Sequence, residues 1–136
     1  MPGWAALSLE ELPVVSGTEP GVTWHPLQHV FGYTAFGANA FTAATAGDVL
    51  VEEHDETGSG QEELYVVMRG TVEFVLDGDA VRGPAPFVVA VRDPTVTRSA
   101  VALEDDTTLL ALGGRPADEF KSTWRAEHFE GVLRRL

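Results

Sequence analysis

Short runs of β-forming residues, each closed by a turn signal, follow one another along residues 22–112. The dipeptide Asp77-Gly78 is a tight-hairpin signal, and it separates the run at residues 72–76 from the run at residues 80–82. Short strands at close spacing with turns between them predict an all-β fold, either a barrel or a sandwich.

Two segments add to this pattern. Residues 22–29 are predicted to form an edge strand, because Pro26 cannot donate to a β-ladder and is tolerated only at an edge or a bulge. In residues 123–136 the apolar positions recur at helical spacing, which predicts one amphipathic helix docked on the barrel or on a partner. These positions are Trp124, Phe129, Val132, Leu133 and Leu136. The chain then divides into an N-terminal extension (1–21), a barrel (22–112) and a C-terminal helical segment (113–136).

Composition narrows the classes of partner. The 136 residues with 44% apolar content fit one domain with one core. A net charge of −12 opposes binding to nucleic acid or to anionic lipid, which both need clustered positive charge. There is no cysteine, no basic segment followed by an apolar run at the amino terminus, and no uncharged stretch that could span a bilayer. We therefore expect a cytoplasmic protein with a small-molecule or protein partner.

Candidate chemistry is concentrated in residues 47–78. Alternate side chains of an extended strand share a face, so His54 and Glu56 point the same way, as do Glu63 and Tyr65 on the next strand. One imidazole and two carboxylates are thus expected to converge on one pocket. The inward face that holds Glu63 also lets the Tyr65 hydroxyl orient a substrate.

The order Gly47, His54-x-Glu56, Glu63, Gly70 resembles the first motif of the cupin family. That motif runs glycine, His-x-His, glutamate and, after six intervening residues, glycine; its second histidine is Glu56 here. The resemblance covers about residues 30–112. It implies a double-stranded β-helix, a jelly-roll barrel, and a homodimer, for which the N-terminal strand with Trp4 and Trp24 and the helix stripe are the candidate surfaces.

The second cupin motif departs further from the family, because its histidine position is occupied by Arg98. Family metal sites use three histidines and one glutamate, and a guanidinium has no lone pair for a cation. One hypothesis keeps a divalent metal such as zinc, iron or manganese on His54, Glu56 and Glu63. The other is a metal-free network in which Arg98 lies within ion-pair reach of Glu56 or Glu63.

Three functions remain open from the sequence. The first is a binding module whose pocket holds a small metabolite, with Arg98 as the anion anchor. The alternative is a metal-dependent cupin enzyme of the oxygenase, isomerase or lyase type, using His54, Glu56 and Glu63, with Tyr65 as proton donor. A metal-free isomerase or epimerase with His54 or a glutamate as base is the third. The other strand histidines, His25 and His29, are predicted to lie at the surface or in the edge strand without a ligand role.

Overall fold

The computed structural model describes residues 3–16 and 19–118, and antiparallel β-strands make up most of this part of the chain. The strands are β1 (Val15–Ser16), β2 (Val22–His25), β3 (Gly37–Ala43), β4 (Val49–His54), β5 (Glu62–Arg69), β6 (Thr71–Leu76), β7 (Asp79–Pro84), β8 (Phe87–Val91), β9 (Arg98–Ala102) and β10 (Thr108–Gly114). A short helix, α1 (Leu27–Phe31), and two 3-10 helices, Leu9–Glu11 and Pro116–Asp118, accompany them. The predicted all-β class is confirmed.

The strands form two sheets that face each other. One has the order β1-β2-β3-β10-β5-β8 and the other the order β4-β9-β6-β7, with every neighbouring pair antiparallel. Side chains alternate between the inside and the outside along each strand, so Val72 and Phe74 of β6 are buried while Glu73 between them is partly exposed. Val67 of β5 and Leu109 of β10 meet them from the facing sheet and complete the core.

The Asp77-Gly78 hairpin forms as predicted. Leu76 and Asp79 are the last pair of the ladder between β6 and β7, which leaves two residues in the turn. Both turn residues have positive φ, 49° at Asp77 and 88° at Gly78. This is the geometry of the two-residue turns whose twist matches that of the flanking strands.

The predicted edge strand at residues 22–29 is wrong in two respects. β2 ends at His25, and it is an interior strand of its sheet, paired on one side with β1 and on the other with β3. Pro26 is the N-cap of α1, because a residue without an N–H group costs nothing where a helix begins. His29 on that helix is exposed, as predicted, but His25 is buried and its Nδ1 donates to the Pro13 carbonyl oxygen at 3.2 Å.

The N-terminal segment contributes β1 to the edge of the six-stranded sheet, where β1 pairs with β2, and its Leu12 is buried. Trp4 is exposed, whereas Trp24 is half-buried and donates through Nε1 to Asn39 Oδ1 at 2.8 Å. The homodimer suggested for these tryptophans stays a prediction. The predicted C-terminal amphipathic helix lies outside the described residues, and no helix in the described part of the chain is long and apolar enough to cross a membrane.

We expect Gly70→Ala to lower the free energy of unfolding by about 3 kcal/mol, a large effect for a single substitution. Gly70 joins β5 to β6 with φ of 78°, and a Cβ built there lies 2.2 Å from Thr107 Oγ1 and 2.9 Å from Thr107 Cα. Gly78→Ala is the matched control: φ is again positive, but nothing lies within 4 Å of the new Cβ. That variant should lose only about 1 kcal/mol of stability, which is the cost of backbone strain alone. Urea denaturation compares the two, and equal losses would contradict the steric argument.

Candidate functional site

The candidate residues converge at one end of the barrel, between the two sheets. Glu63 and Tyr65 project inward from β5 of the six-stranded sheet, while His54 is the last residue of β4 and Arg98 the first residue of β9 in the facing sheet. His54 and Arg98 are direct partners in the ladder between those two strands. The cluster therefore bridges the two sheets, and its position follows from strand register.

His54, Glu56 and Glu63 each offer one ligand atom to a common point, and these three atoms lie within 4.8 Å of one another. His54 Nε2 is 3.1 Å from Glu56 Oε1 and 4.0 Å from Glu63 Oε1. The other ring nitrogen, Nδ1, donates to the Glu52 carbonyl oxygen at 2.7 Å, which fixes the orientation of the ring. The convergence expected from the sequence is present in the structure.

Glu56 reaches the cluster from a turn, since β4 has already ended at His54. Its backbone N–H donates to the Pro94 carbonyl oxygen at 2.8 Å, and its Oε2 accepts a hydrogen bond from the Ser59 hydroxyl. Both carboxylate oxygens of Glu56 are thus engaged, one by His54 and one by Ser59. Sequence reasoning missed Ser59. Its place three residues after Glu56, between Gly58 and Gly60, was the available signal, because such a glycine-flanked turn folds back on itself.

Arg98 is the most deeply buried charge of the cluster, with an exposed fraction of 1%. Its Nε lies 3.6 Å from Glu63 Oε1, so the predicted ion-pair proximity is confirmed. That distance is too long for a hydrogen bond, and none of the three guanidinium nitrogens has a hydrogen-bond partner among the described residues. A buried guanidinium without hydrogen bonds is costly, so its donors have unused capacity that faces the barrel interior.

Tyr65 stands between the charged cluster and the apolar core. Its hydroxyl donates to Glu63 Oε1 at 2.8 Å, and its ring centroid is 6.1 Å from that of Phe74. Burial of the phenol raises the pKa of Tyr65 above its ordinary value, and the negative charge of Glu63 raises it further. Tyr65 is therefore held as a protonated hydrogen-bond donor.

An open groove of about 1450 Å³ runs along the mouth of the barrel beside the cluster. It meets the cluster at Glu63 and at Ser59, the residue bound to Glu56. The remaining lining is formed by Gln28, Ala35, Phe36, Gly37, Gly58, Gln61, Glu62, Leu64, Ala90, Val91, Arg92, Leu112, Gly113, Gly114, Arg115 and Pro116. Glu63 is thus the member of the charged cluster that faces the groove, while His54, Glu56, Tyr65 and Arg98 do not line it.

Solved structures share this architecture. KdgF from Halomonas sp. superposes with a TM-score of 0.65 at 20% identity, over 81% of this chain and 92% of that one. A cupin protein from Bacteroides fragilis superposes with a TM-score of 0.66 at 18% identity, over 98% of this chain and 99% of that one. The chain has the cupin fold.

A further cupin neighbour is a sugar phosphate isomerase from Silicibacter pomeroyi, with a TM-score of 0.66 and 19% identity over 82% of this chain and 76% of that one. No protein-family model and no curated protein matches the sequence. Identities this low establish the cupin fold and nothing finer, so the function of this cupin barrel has to be argued from its own side chains.

Ionisation of Tyr65 should make folding stability fall as pH rises above about 10, where an unfolded tyrosine loses its proton. The folded-state pKa of Tyr65 is raised, so the unfolded chain ionises first as the pH rises. The contribution of Tyr65 to the free energy of unfolding is therefore complete below that pH and is lost above it. The chain has two tyrosines, so Tyr33→Phe leaves Tyr65 as the only phenol to follow by ultraviolet absorbance. In that background we expect phenolate absorbance to appear together with unfolding. Adding Tyr65→Phe should reduce the fall in the free energy of unfolding above about pH 10 by up to about 1.4 kcal/mol per pH unit. An unchanged dependence on pH would contradict the raised pKa of Tyr65.

Proposed function

We propose that the chain binds a small metabolite bearing a carboxylate or a phosphate inside the barrel, with Arg98 as its anchor. The observation that carries the proposal is the fully buried guanidinium, whose nitrogens have no hydrogen-bond partner among the described residues. Arginine presents several donors in a planar fork that matches the oxygens of carboxylate and phosphate. An anion bound there would satisfy donors that the protein itself leaves unsatisfied.

The two carboxylates beside Arg98 already have hydrogen-bond partners, which supports the assignment of the ligand to Arg98. Glu56 is held by His54 and Ser59, and Glu63 accepts from the Tyr65 hydroxyl. Glu63 offsets part of the Arg98 charge at 3.6 Å but does not hydrogen-bond to it. The site therefore retains guanidinium donors without a hydrogen-bond partner among the described residues, and these favour a ligand with strong acceptor oxygens, such as a carboxylate or a phosphate.

Binding alone is the simplest function of such a pocket, and it requires no reaction. The Tyr65 hydroxyl and the His54 ring lie beside Glu63 and would orient a bound molecule. One structural neighbour is named as a sugar phosphate isomerase, so this fold accommodates a phosphorylated small molecule in at least that protein. That likeness supports the size and charge class of the ligand without deciding its identity.

Replacing Arg98 should abolish binding of small anions while leaving the fold in place. We expect phosphate or a short carboxylate to raise the melting temperature of the wild type, because a ligand that binds only the folded state stabilises it. Arg98→Leu should lose this shift, and Arg98→Lys should retain part of it, since lysine keeps the charge but not the planar fork.

The matched control is Arg82→Leu, which removes an arginine that is 70% exposed and pairs weakly with Glu73. It should leave the shift unchanged. Differential scanning fluorimetry over an anion series measures all four proteins. An Arg98→Leu protein that is folded and still stabilised by the same anion would contradict the proposal.

A metal-dependent enzyme is the second candidate, and one observation favours it. The hydrogen bond from His54 Nδ1 to the Glu52 carbonyl turns Nε2 toward the two carboxylates, as the hydrogen bond on the other ring nitrogen does for metal-binding histidines. In number, type and separation, His54, Glu56 and Glu63 fit three ligands of an open site for zinc, iron or manganese. A bound ion would polarise a substrate oxygen or activate water or dioxygen. Tyr65 would then be placed to donate a proton.

Metal content separates the two candidates. If the enzyme proposal holds, purified protein should contain a stoichiometric divalent metal, a chelator should lower its melting temperature, and His54→Ala should lose the metal. The matched control is His29→Ala, because His29 is exposed on α1, away from the three ligands. Elemental analysis of the three proteins, with and without chelator, gives the answer. Metal retained by His54→Ala at the wild-type level would rule out this site.

A further inference from the structure

The inner face of the six-stranded sheet carries no side chain at two positions beside Glu63. Gly113 is the ladder partner of Glu63, and Gly37 is the partner of Gly113 on the next strand. Residues directly opposite each other in an antiparallel pair share a face, so both glycines lie on the face that holds Glu63 and the core. Glycine in a strand weakens the strand and often marks a place where a ligand comes close to the backbone.

Two glutamine amides lie over these glycines. A Cβ built on Gly113 would stand 2.7 Å from Gln61 Oε1, and a Cβ built on Gly37 would stand 3.9 Å from Gln28 Oε1 and 3.6 Å from the Gly113 carbonyl oxygen. Bare backbone therefore forms a floor, with an amide above each glycine, and all four residues line the groove at the mouth. Each amide can both donate and accept hydrogen bonds.

This floor is connected to the anion anchor. Glu63 lines the groove and also lies 3.6 Å from Arg98, so a single side chain separates the two. The unpartnered, buried guanidinium of Arg98 is an independent sign of a ligand at this end of the barrel. The groove, at about 1450 Å³, is far larger than a lone carboxylate or phosphate needs.

The chemistry of the groove defines the remainder of the ligand. The Gln28 and Gln61 amides and the Glu62 carboxylate offer hydrogen bonds to hydroxyl groups, and Phe36, which is 47% exposed, offers an apolar ring face to carbon-bound hydrogens. A linear or cyclic polyol has both kinds of surface.

We infer that Gly37 and Gly113 form the floor of a second subsite, which binds the hydroxyl-rich portion of a ligand whose carboxylate or phosphate is held by Arg98. The inference rests on the proposed function for the anion and adds the class of molecule attached to it, a sugar acid or a sugar phosphate. Gly37 then determines specificity, because a side chain there would occupy the space of the polyol, whereas a Cβ at Gly113 would first meet Gln61 Oε1 at 2.7 Å.

Calorimetric titration with paired probes tests the subsite. Glycolate and gluconate form the carboxylate pair, and inorganic phosphate and glucose 6-phosphate form the phosphate pair; the pair that binds identifies the anion. Wild type should bind the longer probe about tenfold tighter than the shorter one, which corresponds to one or two added hydrogen bonds. Arg98→Leu should lose both probes of that pair.

Gly37→Val should abolish the preference for the longer probe while leaving the affinity for the shorter one within about twofold, since the added side chain fills the subsite and leaves the anchor alone. Valine suits a strand, and the Cβ contacts at Gly37 are of ordinary length, so the fold should persist; Gly37→Ala is the milder second variant. Ala80→Val, at an exposed position of β7 in the other sheet, is the matched control and should behave as wild type.

The possible results distinguish a failure of the polyol subsite from a failure of the Arg98 anion site. A wild type that binds the short probe but shows no preference for the long one overturns the subsite and leaves the Arg98 anchor standing. A folded Gly37→Val protein that keeps the full preference, or weakens both probes equally, also overturns the subsite. A wild type that binds none of the four probes overturns the anion proposal and the subsite with it.

Discussion

Alternation along β5 decides what the inside of this barrel contains. Every second side chain of the strand points toward the facing sheet, and the gap between two packed sheets holds only one layer of interdigitated side chains. These inward residues must therefore fit between the sheets. In chain order the inward residues are Glu63, Tyr65 and Val67. Their side chains decrease in polarity along the strand, from a carboxylate to a phenol to a hydrocarbon. One strand therefore divides the interior into a polar end that meets the groove and an apolar end that holds the fold together.

The charge of Arg98 explains the arrangement at the polar end. A buried cation needs a nearby anion, and Glu63 supplies one at 3.6 Å from the opposite sheet. Tyr65 and His54 then orient the two carboxylates, and Ser59 holds Glu56 from the turn. Each side chain satisfies its neighbour except the arginine itself, which lacks a hydrogen-bond partner within the described residues. The function we propose follows from this one unsatisfied group.

The sequence predicted the parts of this site that depend on local spacing. His54-x-Glu56 and Glu63-x-Tyr65 are two-residue relations within or just beyond a strand, and Arg98 could be placed because it stands where the cupin motif has a histidine. The approach of Gln28 and Gln61 to Gly37 and Gly113 could not be predicted in this way.

Those contacts depend on the register between strands distant in the chain, which hydrophobic pattern alone does not fix. Residues 22–29 show a related limit: the sequence pattern predicts Pro26 in the interior of an edge strand, whereas the strand ends at His25 and Pro26 caps the helix that follows.

Arg98 also begins a central strand, paired with His54 of β4 on one side and with Leu76 of β6 on the other. Its backbone is held by two ladders, and its side chain is enclosed before any ligand arrives. An arginine on a surface loop would have to surrender much of its rotamer freedom at each binding event, a cost on the order of 1 kcal/mol for a long side chain. Here that ordering is complete once the chain has folded, so an incoming anion meets a receptor that is already rigid.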